Sequence, residues 1–393
     1  MDKKYRLTTA ACYVAYCSHA SIINLMPLLF IPLREQFGFS YTQLGALVLV
    51  NFATQLAVDI LLSFVVDRWG FRKIAVAGHL LIAAGLITLA MAPVLPFTTY
   101  SALVLATLLY STGGGALEVI ISPIINAIPA EDKSSNMSLL HSFYCWGTVA
   151  VVLLTTLFLF GFGKEHWPVI TALWAILPIA NTFIFAACPL APPVPEDKKT
   201  KARSLWSEPV FFVLLLTIMF GGAAEITIMQ WTSAYMEVVF EFPKVVGDCA
   251  GMCMFAVMMG IGRAGYGILG SKRKLNLHAI MIAGASLAVV CYLIVALSPV
   301  PLFGLVMCVA CGLGVSLLWP GALSLSVDRF PLAGAWMFAI MAAAGDTGAS
   351  VGPWIAGMVA DRDGLRTAIL VGTIFPLCAL TCLLVLLLKK KKA

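Results

Sequence analysis

Four carboxylic acids, Asp59, Glu118, Glu225 and Asp346, interrupt stretches that are otherwise apolar, each set apart from the charged loops. A charge at the bilayer centre costs on the order of 3 kcal/mol even on insertion scales, so it persists only when paired, protonated or facing water. The chemistry open to such groups is proton binding and release, and hydrogen bonding to a polar solute. Their spacing adds detail. Tyr110, Gly114, Glu118 and Ser122 recur every four residues and share one helix face, a polar and glycine-lined stripe that suits Glu118 to proton coupling. Asn51, Gln55 and Asp59 form a second stripe of two amides and an acid, with Asp59 either a coupling group or a helix-packing anchor. Glu225, followed by Gln230 and Trp231, suits a solute-binding wall. Asp346 lies one turn from Ser350, where coupling and helix-to-helix hydrogen bonding are equally open. His141 carries an imidazole, a side chain type that titrates near neutrality when unperturbed, and is a candidate to accept a proton or bind solute. His19 and His79 lack such a context and are expected to be satisfied by neighbours. Trp146, Trp231, Trp319 and Trp336 offer flat apolar faces to a solute, though tryptophan also packs cores.

These residues need membrane helices to position them. The chain of 393 residues is 61% hydrophobic and 11% charged, with mean hydropathy +0.97, which excludes an ordinary soluble domain. Apolar runs of about 20 residues, the length that crosses a bilayer as an α-helix, occur at 7–33, 41–66, 74–93, 98–122, 137–161, 168–188, 209–232, 246–270, 275–297, 301–326, 334–359 and 366–388. The longest polar interruption divides these twelve spans equally. The expected organisation is an all-α membrane protein with a six-helix bundle over 1–189, a cytoplasmic linker over 190–208 and a second bundle over 209–393. Weak internal echoes, Gly70, Arg72 and Lys73 with Gly270, Lys272 and Arg273, and Pro123 with Pro320, suggest a repeat of about 200 residues.

Orientation follows from positive charge. With both termini cytoplasmic, all but five of the 25 lysines and arginines lie on the inner side, the exceptions being Arg34, Lys164, Lys244, Arg362 and Arg366. The net charge of +6 then reflects topology and contact with anionic lipid, with no call for nucleic acid. No cleavable signal is expected, and the eleven cysteines, mostly within spans, suggest neither a disulfide nor a metal framework.

Asp67-Arg68-Trp69-Gly70-Phe71-Arg72-Lys73, between the second and third spans, resembles the signature loop of the major facilitator superfamily, with Ser63 where that pattern begins with glycine. The resemblance implies twelve helices in two pseudo-symmetric bundles, with Asp67, Arg68, Arg72 and Lys73 biasing a conformational equilibrium through ion pairs and helix ends. Arg263 is taken as their structural counterpart in the eighth span. Gly113 to Glu118, Pro123 and Pro129 to Glu131, together with His141 to Gly147 and Ala223 to Glu225, resemble the fucose permease branch, which are sugar–proton symporters. In that branch the first helix carries an acid. Here the aligned position is Pro27, with Asn24 nearby as a solute-binding candidate, so a two-acid scheme does not transfer.

The expectation is a secondary transporter, not an enzyme, that moves a small polar solute, a sugar or sugar derivative, by proton-coupled alternating access. Protons are the expected coupling ion, with sodium as the alternative. No cofactor or metal is expected. The protein is expected to act as a monomer in a plasma or bacterial inner membrane. The competing reading is efflux of drugs or metabolites, favoured by methionines such as Met252, Met254, Met258 and Met259. No Walker motif suggests primary transport, and no H-E-x-x-H or G-x-S-x-G suggests hydrolysis.

Overall fold

Hydrocarbon offers no partner for a peptide N–H or C=O, so a chain this apolar must satisfy its backbone within helices. The computed structural model describes residues 3–39, 41–130, 132–192, 205–243, 246–273 and 275–390, and among them there is no β-strand. Ten stretches are long and apolar enough to cross a membrane. The first expected span is not among them. It forms α1 (Arg6–Leu28) and the short α2 (Phe30–Phe37), and α1 carries Ser18, His19, Ser21 and Asn24 buried along its length, which lowers its hydropathy. The last stretch, Gly334–Leu388, spans 55 residues and contains two of the expected spans, divided where Gly364 adopts φ 84°.

Following α2 are α3 (Tyr41–Trp69), α4 (Phe71–Met91), α5 (Thr99–Ala127) and α6 (Lys133–Phe162). Next come α7 (Trp167–Trp174) and α8 (Ile176–Ala187), one expected span broken at Ala175 because Pro178 has no N–H to continue the ladder. The second half runs through α9 (Pro209–Val238), α10 (Met254–Arg273), α11 (Leu277–Leu297) and α12 (Pro301–Val315). It ends with α13 (Leu318–Arg329), α14 (Gly334–Gly372) and α15 (Ile374–Lys390). A π-helical segment, Gly247–Cys253, leads into α10.

The helices gather into two compact units. One comprises Met1–Pro129 with Trp146–Pro193, the other Ala130–Cys145 with Val194–Ala393, so α6 is shared between them. Residues 193–204 of the expected linker lie outside the described residues.

Each unit contains the same backbone crossing. In the first, Gly78 of α4 meets Gly113 of α5, and a Cβ on either would press on the other's carbonyl oxygen; in the second, Gly284 of α11 and Gly314 of α12 do the same. Buried polar groups fasten further helices. His79 bonds Ala75 O through Nδ1 at 2.7 Å and Asn181 through Nε2 at 2.8 Å, and Asn181 also donates to Ala11 O. His79 is therefore a structural histidine, as expected. Tyr235 and Tyr292 donate to the carbonyls of Val295 and Ala224, each at 2.6 Å.

Two glycines that the sequence repeat aligns differ in conformation. Gly70 adopts φ 81° and separates α3 from α4, whereas Gly270 continues inside α10. The conformational match to Asp67-Arg68-Trp69-Gly70-Phe71-Arg72 is Asp361-Arg362-Asp363-Gly364-Leu365-Arg366. In both segments a positive-φ glycine is followed two residues later by an arginine that caps another helix. Arg72 donates to Phe185 O and Cys188 O at 2.8 Å and to Ala186 O at 2.5 Å, at the end of α8. Arg366 donates to Ser298 O at 3.0 Å and to Ala296 O at 3.4 Å, at the end of α11. These carbonyls have no intrahelical partner, and a cation there also answers the negative end of the helix dipole.

Asp132 caps α6. Its carboxylate accepts from the Ser134 hydroxyl at 2.7 Å, the Ser135 amide at 3.0 Å and the Ser135 hydroxyl at 2.7 Å. Burial alone raises its pKa, but these bonds outweigh that and hold the carboxyl below its ordinary value. A depressed folded-state value means that the stabilisation is complete above the unfolded value and is lost as pH falls through the folded one.

Two outcomes follow for protein in detergent. Arg72→Gln should lower unfolding free energy by about 1–3 kcal/mol, with Arg366→Gln costing less because its bonds are fewer and longer. Asp132→Ala should cost about 1 kcal/mol at neutral pH, and its difference from the unsubstituted protein should shrink on acidification. Both are read by unfolding monitored through tryptophan fluorescence.

Candidate functional site

In the first unit, helices α1, α3 and α5 bring the polar stripes into contact. Glu118, 9% exposed, faces His19 of α1, 7% exposed, with Oε2 and Nε2 separated by 3.6 Å. That is a charge-pair distance and too long for a hydrogen bond. The same Nε2 lies 2.7 Å from Gln55 Oε1 of α3. Gln55 in turn donates from Nε2 to Asn51 Oδ1 at 3.1 Å, and the Ser111 hydroxyl donates to that oxygen at 2.5 Å. Because Asn51 Oδ1 takes two donors, Gln55 must present its oxygen to the imidazole, and His19 Nε2 carries the hydrogen between them. Gly114 makes this approach possible: a Cβ there would collide with Ile22 and stand 3.3 Å from both Gln55 Oε1 and His19 Cδ2. Tyr16, one turn before His19, pairs its hydroxyl with that of Ser122 at 3.2 Å.

Glu118, Gln55 and Asn51 thus form one cluster, as their stripes imply. Asp59, also on α3, is buried one turn beyond Gln55. Asn24 is elsewhere, donating to Ala20 O and to Thr148 Oγ1 of α6 at 3.1 Å. Trp146 is exposed. Ser111 and Thr148 escaped the sequence reading, and His19 was given no functional role in it. Ser111 was accessible to it, since it lies seven residues before Glu118 and hence on the same face. His19 was not, because only tertiary packing places it beside an acid.

In the second unit the dominant feature is an ion pair. Arg263 of α10 donates from Nη2 to Glu225 Oε2 of α9 at 2.7 Å, with the side chains 3% and 6% exposed. Its Nε donates to Ser316 O at 2.8 Å, and Nη1 points to His141 O at 3.3 Å and Cys145 Sγ at 3.4 Å. The Ser316 carbonyl is available because Pro320, four residues on, has no N–H to bond it. Arg263 was expected to mirror the loop between the second and third spans; instead it is a buried crosslink, and the cap that does mirror Arg72 is made by Arg366. Glu225, expected to bind solute, has its charge taken up by Arg263.

The remaining candidates sit around α14. Asp346 is buried next to Gly345, against which the Trp319 ring packs so closely that a Cβ would overlap it. Trp231 donates to Pro353 O at 3.2 Å, and Gln230 is exposed. In the signature loop, Arg68 and Lys73 are exposed, Arg72 caps α8, and the side chain of Asp67 lies outside the described residues. No group of three or more metal-binding side chains occurs among the described residues, and the eleven cysteines are free thiols.

Apolar helices in two units, with paired ionisable groups in their interiors, make this a polytopic transport protein. The chain belongs to the major facilitator superfamily, whose model matches residues 11–335. Among solved structures it is similar to the E. coli fucose:proton symporter FucP, with a TM-score of 0.78, 15% identity, and coverage of 97% of this chain and 98% of that one. The proton:xylose symporter XylE matches with a TM-score of 0.81, 12% identity, and coverage of 96% and 94%. The human organic anion transporter MFSD10 matches with a TM-score of 0.75, 13% identity, and coverage of 98% and 100%. No curated protein sequence matches. At these identities the likeness is one of fold.

Removing one partner of a buried pair strands the other charge, so Arg263→Met should lower unfolding free energy by about 3–5 kcal/mol. Adding Glu225→Gln to that variant should restore part of the loss. Thermal unfolding of the single and double variants in detergent measures both effects.

Proposed function

We propose that the protein is a proton-coupled secondary transporter for a small neutral polar solute, a sugar or sugar derivative, working by alternating access with both termini cytoplasmic. One observation carries this reading: Glu118 sits within the membrane-spanning part of α5, almost wholly buried, in a cluster of neutral hydrogen-bonding groups, Gln55, Asn51 and Ser111. A carboxyl in such a place is stable in hydrocarbon when protonated and seeks water or a cation when ionised, so its charge state favours different conformations of the carrier. Amides and hydroxyls on the same wall suit a solute that presents hydroxyl groups.

Solute charge is argued from the cations. The first-unit cluster contains no lysine or arginine, and in the second unit Arg263 is committed to Glu225 and to backbone carbonyls. A phosphorylated or dicarboxylate solute would require unengaged cationic groups. FucP and XylE, which carry sugars with protons, share the fold, and so does an organic anion transporter, so it is the neutral cluster that favours a sugar. Coupling is assigned to protons, with Asp59 and Asp346 as the alternatives for sodium. Residues Asp67 to Lys73 act on the conformational equilibrium through helix ends.

The test is uptake into proteoliposomes under an imposed pH gradient, across a panel that includes fucose and xylose. Unsubstituted protein should accumulate at least one sugar, and Glu118→Gln should lose accumulation while retaining exchange. Accumulation unchanged by Glu118→Gln overturns the coupling role. Accumulation driven by sodium alone moves it to Asp59 or Asp346, and solute movement against inward proton flow favours efflux.

A further inference from the structure

We propose that His19 is the second titrating group of the proton site, so that Glu118 and His19 bind protons as a coupled pair. This rests on Glu118 being the coupling acid. The two groups come from different helices, α1 and α5, and both are more than nine-tenths buried, with Nε2 and Oε2 3.6 Å apart.

The geometry distinguishes His19 from His79, His278 and His166. His79 binds a backbone carbonyl and an asparagine amide, and His278 binds the carbonyl of Leu383 at 2.8 Å. Those rings meet neutral groups at the nitrogens described. His166 lies beside Glu165 in an exposed turn, where solvent screens the pair. His19 meets a carboxylate in a buried site, through the nitrogen whose hydrogen the Gln55 oxygen fixes. Gln55 is itself held by Asn51, and Asn51 by Ser111. The amide chain therefore keeps the Nε2–H on Gln55 Oε1, while Glu118 Oε2 stands 3.6 Å from the same nitrogen and acts on the ring through its charge.

From α5 the charged group is Glu118, and from α1 itself Tyr16 stands edge-on with ring centroids 6.4 Å apart. The α3 helix presents neutral Gln55, with Asp59 one turn further. His79 of α4 and Asn181 of α8 turn to one another and to Ala11 O. Where α6 approaches α1, Gly147 lies over Cys17 and Ala20, and Thr148 binds Asn24. The α2 acid Glu35 is engaged by Lys164 at 2.8 Å in an exposed pair.

The pair has three protonation states. With no added proton it is carboxylate and neutral imidazole, with charge −1. One proton gives net zero, either as carboxyl and imidazole or as carboxylate and imidazolium, the imidazolium carrying its added proton on Nδ1 because Nε2 already holds the hydrogen given to Gln55. A second proton gives carboxyl and imidazolium, with charge +1. The one-proton state is neutral overall while still offering a polar face, which a lone carboxyl in hydrocarbon does not do once ionised.

The test needs no solute. Protein in phospholipid nanodiscs is titrated with infrared detection of the Glu118 carboxyl, identified by its loss in Glu118→Gln, and with nitrogen-labelled histidine NMR of His19, identified by its loss in His19→Gln. Removing the imidazole should move the carboxyl midpoint up by about one pH unit or more, a tenfold change in proton affinity. Removing the carboxylate should move the imidazole midpoint down by the same amount, because the coupling is reciprocal. Midpoints that stay within about a third of a unit of the unsubstituted protein, well under the one-unit effect of a nearby charge, overturn the proposal. If His19→Gln does not fold, the Glu118→Gln arm reads the imidazole in a chain that keeps His19, and decides alone. Shifted midpoints without proton-driven uptake would remove symport and leave the pair; proton-driven uptake with unshifted midpoints would remove the pair and leave symport.

Discussion

Hydrocarbon supplies no hydrogen bonds, and every group that a membrane helix leaves unsatisfied must find its partner in the protein. One series of contacts in the second unit shows how far that requirement reaches. Pro320 cannot donate to Ser316, and the chain breaks there into α12 and α13. The carbonyl so released is taken by Arg263, which then requires an anion, and α9 provides Glu225. The remaining guanidinium hydrogens reach the N-terminal half of α6 at His141 and Cys145. A missing N–H thus leads to an ion pair that joins α9, α10, the α12–α13 break and part of α6.

The same constraint gives the four intramembrane acids different standing. Glu225 is neutralised by an arginine whose own donors are nearly all used, so its contribution is to the architecture of its unit. Glu118 faces a histidine, a group whose charge varies near neutral pH. A carboxylate with a permanent cation beside it holds its charge; one beside an imidazole can exchange it. That difference in partner, more than burial or depth, separates a structural acid from one suited to coupling.

Close helix approach is what makes these contacts available. Gly114 lets α5 come near enough to α1 and α3 for Glu118, His19 and Gln55 to meet, and the glycine pairs Gly78–Gly113 and Gly284–Gly314 set equivalent crossings in the two units. The end-capping arginines, Arg72 and Arg366, then hold outer helices by their carbonyl ends. Membership of the major facilitator superfamily accounts for the general plan, but at 12–16% identity to the sugar symporters it does not specify a solute.

Hydropathy and charge bias in the sequence were enough to establish a helical membrane protein, because bilayer thickness imposes a run length and the cost of burying charge makes exceptions conspicuous. The loop Asp67 to Lys73 was enough to indicate the family, and the stripes of Asn51 with Gln55 and of Gly114 with Glu118 foretold two walls of the cluster, since helical periodicity is a local property. Partners were not legible. Nothing local marks His19 as Glu118's neighbour or Arg263 as Glu225's counter-ion, because the two contacts join residues 99 and 38 positions apart, and Arg366 resembles Arg72 only in the cap that it makes. Which acid faces an arginine and which a histidine was decided by helix packing, because a carboxyl's charge depends on what stands within a few ångströms of it, and in this chain those neighbours come from other helices.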